Sequence, residues 1–182
     1  MIKEKRFNNL KKYFLIFLTY SIIGWCYEVF LEVFIYKWGF SNRGVLFGPY
    51  CPVYGFGALA FIFCFYKFLN NKSTKQKIFL LPLIFLGCMG IATLLELITS
   101  YICEFFTGSW PWQTYADYKI NFQARIALSP SIRFGLGGII FLFILQPLLD
   151  KIFNKISIKT LNILTIIFAT ILFVDLIYTF IF

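Results

Sequence analysis

The sequence predicts an all-α fold: a polytopic membrane helix bundle of about five transmembrane helices. Three observations predict it. Of 182 residues, 60% are hydrophobic and only 14% charged. That is more apolar surface than one soluble core of this size can bury. The apolar residues form five continuous runs instead of a strict alternation, which argues against a membrane β-barrel. The lysines cluster between alternate runs, as the positive-inside rule requires.

The first span runs from about Tyr13 to Tyr36 and the second from about Tyr50 to Leu69. The third runs from about Ile78 to Phe106, the fourth from about Ser131 to Leu149, and the fifth from about Leu161 to Phe182. Each reaches the roughly 20 residues that a helix needs to cross hydrocarbon. The third is longer, so it tilts or extends past the membrane. The first is too long for a signal peptide, carries Glu28 and Glu32, and lacks a small-residue cleavage site. Chain length leaves room for one transmembrane domain, residues 1–182, and no separate soluble domain.

The net charge of +9 raises the question of nucleic acid, but its distribution answers otherwise. Lys3, Lys5, Arg6, Lys11 and Lys12 precede span one. Lys67, Lys72, Lys75 and Lys77 lie between spans two and three, and Lys151, Lys155 and Lys159 between spans four and five. This pattern puts the protein in a cell membrane with its N-terminus cytoplasmic and its C-terminus outside. Membrane lipids are the expected contact of the excess charge, and no nucleic acid is expected. Trp38, Trp110, Trp112, Tyr115 and Tyr118 then form an outer aromatic belt.

The chain has no histidine, which removes imidazole shuttles, Ser–His and Cys–His nucleophiles and His-ligated metals. No metal site and no cofactor is expected. The five cysteines form no C-x-x-C and read as buried thiols, with a Cys51–Cys103 disulfide as the alternative.

Five of the eight carboxylates lie within the apolar runs: Glu28, Glu32, Glu96, Glu104 and Asp175. Acids are costly in lipid, so they mark a polar interior, an ion path or a paired cation. Glu28 and Glu32 share a helix face, as do Glu96, Ser100 and Glu104. Arginine grips carboxylates and phosphates with a planar fork, and Arg43, Arg125 and Arg133 all fall on the outer side. Arg43 and Arg125 are candidates to pair with Glu32 and Glu104 or to hold an anionic ligand, whereas Arg133 suits interfacial anchoring. Asn42 and Asn121 would orient their loops. Gly48-Pro49 and Ser129-Pro130 resemble helix starts whose N-termini would attract anions. Asp175 is a proton-linked acid or an arginine's partner. Gln146-Pro147 would bend or end span four. Trp25 and Tyr54 read as packing residues.

A weak internal repeat joins these features. Residues 13–69 carry Glu28 and Glu32, then Asn42-Arg43, Gly48-Pro49 and Tyr54-Gly55. Residues 78–149 carry Glu96 and Glu104, then Asn121, Arg125, Ser129-Pro130 and Phe134-Gly135. The two helical hairpins would form a parallel repeat, with residues 161–182 as an extra helix.

Four strings are specific together. They are Gly24-Trp25 with Glu28; Asn42-Arg43-Gly44-x-Leu46-x-Gly48-Pro49-Tyr50-Cys51-Pro52-x-Tyr54-Gly55; Glu96 to Tyr101 with Glu104; and Asn121 to Leu128. In these the chain resembles the bacterial family labelled putative ABC-transporter type IV, the CmpB-like permeases. It departs from that pattern at Trp110-Pro111-Trp112-Gln113, where an aspartate is usual, with Asp117 as the candidate substitute. It departs again at Ala124-Arg125, where Gly-Arg is usual. The resemblance implies a permease-like component of an ABC-type transporter in the bacterial inner membrane. The chain has no phosphate-loop motif, so a separate ATPase subunit would supply the energy. Five helices make a small pore, so a partner subunit or a homo-oligomer is expected.

The expected site lies toward the outer leaflet and takes Glu28, Glu32, Glu96 and Glu104 as acids, Arg43 and Arg125 as the anion grip, and Asn42 and Asn121 as loop anchors. The alternatives are a membrane-embedded enzyme acting on lipid or envelope substrates and a non-catalytic membrane assembly protein. The missing histidine and ATPase motif weigh against an enzyme.

Overall fold

The computed structural model describes residues 2–181, with side chains at positions 7–179 and 181. The side chains of Lys3, Lys5 and Arg6, and the end of span five at Phe182, lie outside the described residues. Among the described residues seven α-helices follow one another: α1 Ile2–Phe30, α2 Pro52–Phe61, α3 Lys67–Asn70, α4 Thr74–Thr107, α5 Leu128–Ile140, α6 Gln146–Phe153 and α7 Ile158–Ile181. Wide π-turns at Leu31–Ile35, Ile62–Tyr66 and Phe141–Leu145 extend α1, join α2 to α3, and join α5 to α6. Five continuous helices result that are long and apolar enough to cross a bilayer: Phe7–Ile35, Pro52–Asn70, Thr74–Thr107, Leu128–Phe153 and Ile158–Thr179. The π-turn before Gln146-Pro147 absorbs the missing proline N–H, so span four neither ends nor breaks there.

The helix starts differ from expectation. Span two begins at Pro52, not at Pro49, because Cys51 donates its N–H to the Ser21 carbonyl (2.9 Å) and Pro52 occupies the first helical position. Span four begins at Leu128 behind an extended Ala127, which puts Pro130 third in the helix.

The chain divides into two compact units. The first comprises residues 1–55 and 149–182, and in it α1 packs along α7. Lys12 pairs there with Asp150 (3.0 Å), and Lys11 donates to Asn162 (2.5 Å). The second unit comprises residues 56–148, and in it α4 packs along α5. The closeness of that contact depends on small residues: Gly135 lies against the Phe85 ring and Gly138 against Cys88, so a side chain at either would collide. Gly137 faces open space and takes no part. Thr93 donates to Ser131 across the same contact (2.7 Å).

Candidate functional site

In the first unit the polar residues gather where span one passes into the loop 36–51. Glu32 sits in the π-turn that closes the span and is only 5% exposed. Lys37 and Gly39 adopt left-handed conformations (φ 58° and 89°), which turn the chain back toward that turn. Glu32 then accepts from Arg43 Nη2 (2.8 Å), from the Ser41 hydroxyl (2.7 Å) and from the Ser41 N–H (3.3 Å). Asn42 accepts from the Trp25 indole (2.7 Å) and donates to the carbonyls of Leu46 and Phe47 (3.3 and 2.8 Å). Glu28 accepts from the Tyr54 hydroxyl. Trp25 and Tyr54 are therefore hydrogen-bond donors as well as packing residues.

Asp175 supplies the other anchor of this loop. It reaches from α7 and accepts from the N–H groups of Phe47 and Gly48 (2.9 and 2.7 Å), the Tyr50 hydroxyl, and Thr179 (3.0 Å). These partners are backbone and hydroxyl groups, not the arginine that its isolation in span five suggested. The Gly48 N–H expected to attract an outside anion is thus taken by the chain's own carboxylate. Burial and Asp175 hold the Tyr50 hydroxyl well above the usual phenol range. Burial, and secondly Glu28, push the Cys51 thiol up to about 12, against the opposing pull of Arg43.

In the second unit the polar residues lie between the end of α4 and the start of α5. Gly108, left-handed at φ 77°, stops α4 and donates to the Glu104 carbonyl. A 3-10 turn at Gln113–Asp117 follows, with Asp117 exposed and in no ion pair among the described residues. Two short strands then form a hairpin, β1 Asn121–Phe122 against β2 Ile126–Ala127. Its two turn residues, Gln123 and Ala124, both have positive φ (53° and 54°). Asn-Gly or Gly-Gly are the residues that such a turn favours, so the usual strand and turn signals are missing here. Asn121 ties the hairpin by donating to the Tyr118 carbonyl (2.8 Å) and accepting from the Ala124 N–H (3.1 Å).

The hairpin delivers Arg125. Its guanidinium donates to Glu104 (2.5 Å) and to the Ser100 hydroxyl (3.3 Å). It also lies over the rings of Tyr101 and Trp110, 4.1 and 4.0 Å from their centroids. The indoles of Trp110 and Trp112 donate to the carbonyls of Ala124 and Arg125 (3.0 and 2.8 Å). Glu96 accepts from the Tyr115 hydroxyl (2.7 Å). Arg133 donates to Tyr118 (2.9 Å), so it braces this loop as well as suiting the interface.

Each unit therefore brings one expected Glu–Arg pair together and tethers its remaining expected acid through a tyrosine. Ser41 is absent from the features singled out in the sequence, Tyr50 enters only within a motif string, and Tyr115 and the two indoles read there as an interfacial belt and not as hydrogen-bond donors to the site. The Cys51–Cys103 alternative is not realised, because all five cysteines are free thiols. The Nε–H of Arg43 and that of Arg125 are both buried without a hydrogen-bond partner among the described residues. A buried donor of this kind is uncommon and marks a place where an acceptor would gain.

No curated protein and no solved structure matches the chain. The profile of the family described as "Putative ABC-transporter type IV" matches residues 15–180, nearly the whole length, and the chain belongs to that family.

Proposed function

We propose that the chain is the membrane-embedded, permease-like component of an ABC-type transporter. In this reading the N-terminus lies in the cytoplasm, and the loops 36–51 and 108–127 face outward. Glu28, Glu32, Asn42 and Arg43 form one polar site, and Glu96, Glu104, Asn121 and Arg125 the other. One observation carries the reading. Each unit holds a guanidinium at a span–loop junction, neutralised by a carboxylate at Nη2, with a buried Nε–H still unspent. Such a group is oriented for an anionic oxygen in a passing substrate or for its own carboxylate, and exchange between the two is a means of binding and release.

The test is affinity purification from native membranes. A co-purifying ATPase with a phosphate-loop motif is expected, and Arg125→Lys should change its ATP hydrolysis in the complex. Purification without any ATPase would overturn the reading. It would leave the assembly-protein alternative, which the saturation of Glu32 by three donors favours.

A further inference from the structure

The loop that joins span two to span three carries an excess of positive charge. No acid occurs between Glu32 and Glu96, while Lys67, Lys72, Lys75 and Lys77 crowd this loop and its flanks. Helix α4 begins here. A helix N-terminus carries partial positive charge and is normally met by an aspartate or glutamate in the first turn. The first turn of α4 has none and holds Lys75 instead. Ser73 and Gln76 close the start with a capping box, so the turn is well formed even though its charge is wrong. Lys72 and Lys75 form no ion pair among the described residues.

The same place holds a groove of about 400 Å³, lined by Phe68, Lys72, Lys75, Gln76, Phe79 and Leu80. Its lining mixes two chemistries. Phe68, Phe79 and Leu80 supply apolar surface, and Phe79 is 85% exposed. Lys72 and Lys75 supply positive charge. The Lys72 ammonium lies 4.6 Å from the Phe68 ring centroid, so one charged head is already held against the apolar lining.

We propose that this groove is a binding site for an anionic phospholipid. The phosphate sits against Lys72, Lys75 and the start of α4, and the acyl chain lies along Phe68, Phe79 and Leu80. A soluble anion has no use for the apolar wall. A zwitterionic lipid brings its own cation and gains little from the lysines. The lipid's negative charge offsets part of the lysine excess and meets the uncompensated helix end.

The test is retention of added phosphatidylglycerol against phosphatidylcholine by the detergent-solubilised full chain, read by native mass spectrometry. Preferential retention of phosphatidylglycerol is expected, falling about tenfold or more in the double variant Lys72→Gln/Lys75→Gln. The control Lys155→Gln/Lys159→Gln removes the same charge elsewhere and should keep the preference. Lys72→Arg/Lys75→Arg should keep it too, which separates loss of charge from loss of fold. Equal retention of the two lipids, an equal loss in the control, or undiminished retention in the Gln variant would each overturn the proposal. So would displacement of the lipid by millimolar inorganic phosphate, which would mark a free-anion site. Loss of an acidic partner protein in the Gln variant, without any lipid preference, would overturn it in favour of a protein contact.

Discussion

The two Glu–Arg pairs use the same groups in opposite ways. In the first unit the acid is the inner partner: the side chain of Glu32 is 7% exposed and that of Arg43 25%. In the second the arginine is inside: Arg125 is 8% exposed and Glu104 42%. The loops follow suit. The first unit holds its loop by backbone N–H groups, which donate to Glu32 and Asp175. The second holds its loop by backbone carbonyls, which accept from Trp110 and Trp112. A carboxylate only accepts, and an indole or guanidinium only donates. The anchoring side chain therefore decides which half of the peptide bond it holds: the carboxylates take N–H groups, and the indoles take carbonyls.

This inversion predicts unequal damage. Removing the outer partner strands the inner charge. A stranded carboxylate can take a proton, but a guanidinium stays charged. Glu104→Ala should therefore cost the most, about 2–4 kcal/mol of stability, with Arg43→Ala below it at about 1–3 kcal/mol. Thermal unfolding in detergent reads both losses, and equal losses would break the comparison.

Asp175→Asn comes next. It keeps the shape but replaces one accepting oxygen with a donor among the N–H groups of Phe47 and Gly48 and the Tyr50 hydroxyl. A loss of about 1–3 kcal/mol is expected. Faster proteolysis should be confined to the loop 36–51. If cleavage instead appears in the loop 108–127, the acid-held and indole-held loops are not separate devices.

The third change sharpens the contrast from the other side. Ala124 occupies a left-handed position where glycine costs nothing. Ala124→Gly should raise stability by up to about 1 kcal/mol, read as an increase in Tm. A fall in Tm would mean that the Ala124 methyl makes a contact worth more than its strain.

The smallest effect concerns Cys51. Its thiol is displaced from an ordinary 9.0 to about 12. The unfolded chain loses this proton first, so the folded state binds more protons between those values. Stability from this group is full below pH 9 and declines as the pH rises toward 12. Near pH 8, alkylation of Cys51 should be at least about a hundredfold slower in the folded protein than in denaturant. Comparable rates in the two states would show that burial does not protect it.

The spans and the polar pairs were legible in the sequence for a simple reason. Continuous apolar runs announce helices that cross lipid, and an arginine placed near an intramembrane glutamate has few other partners of opposite charge. Which member of each pair lies inside was not legible, because Ser41 beside Glu32 and the aromatic rings beside Arg125 decide it in three dimensions. Asp175 was hidden by distance, since its backbone partners lie 127 and 128 residues away. Gln123-Ala124 carries no turn signature, so the hairpin had nothing to announce it. Gly48-Pro49 misled because its N–H was spoken for by α7, which moved the helix start to the next proline.

The π-turn at Ile62–Tyr66 acts as a vernier on the second crossing. It holds one residue more than an ordinary turn. Excising a residue there would restore standard winding and leave Lys67 through Asn70 close to their present heading, because the turn already absorbs the extra residue. The same deletion in the regular part of α2 would swing everything beyond by about 100° and slide it by about 1.5 Å. This turn is therefore the one place in the span where the chain can lose a residue and keep the direction of its end.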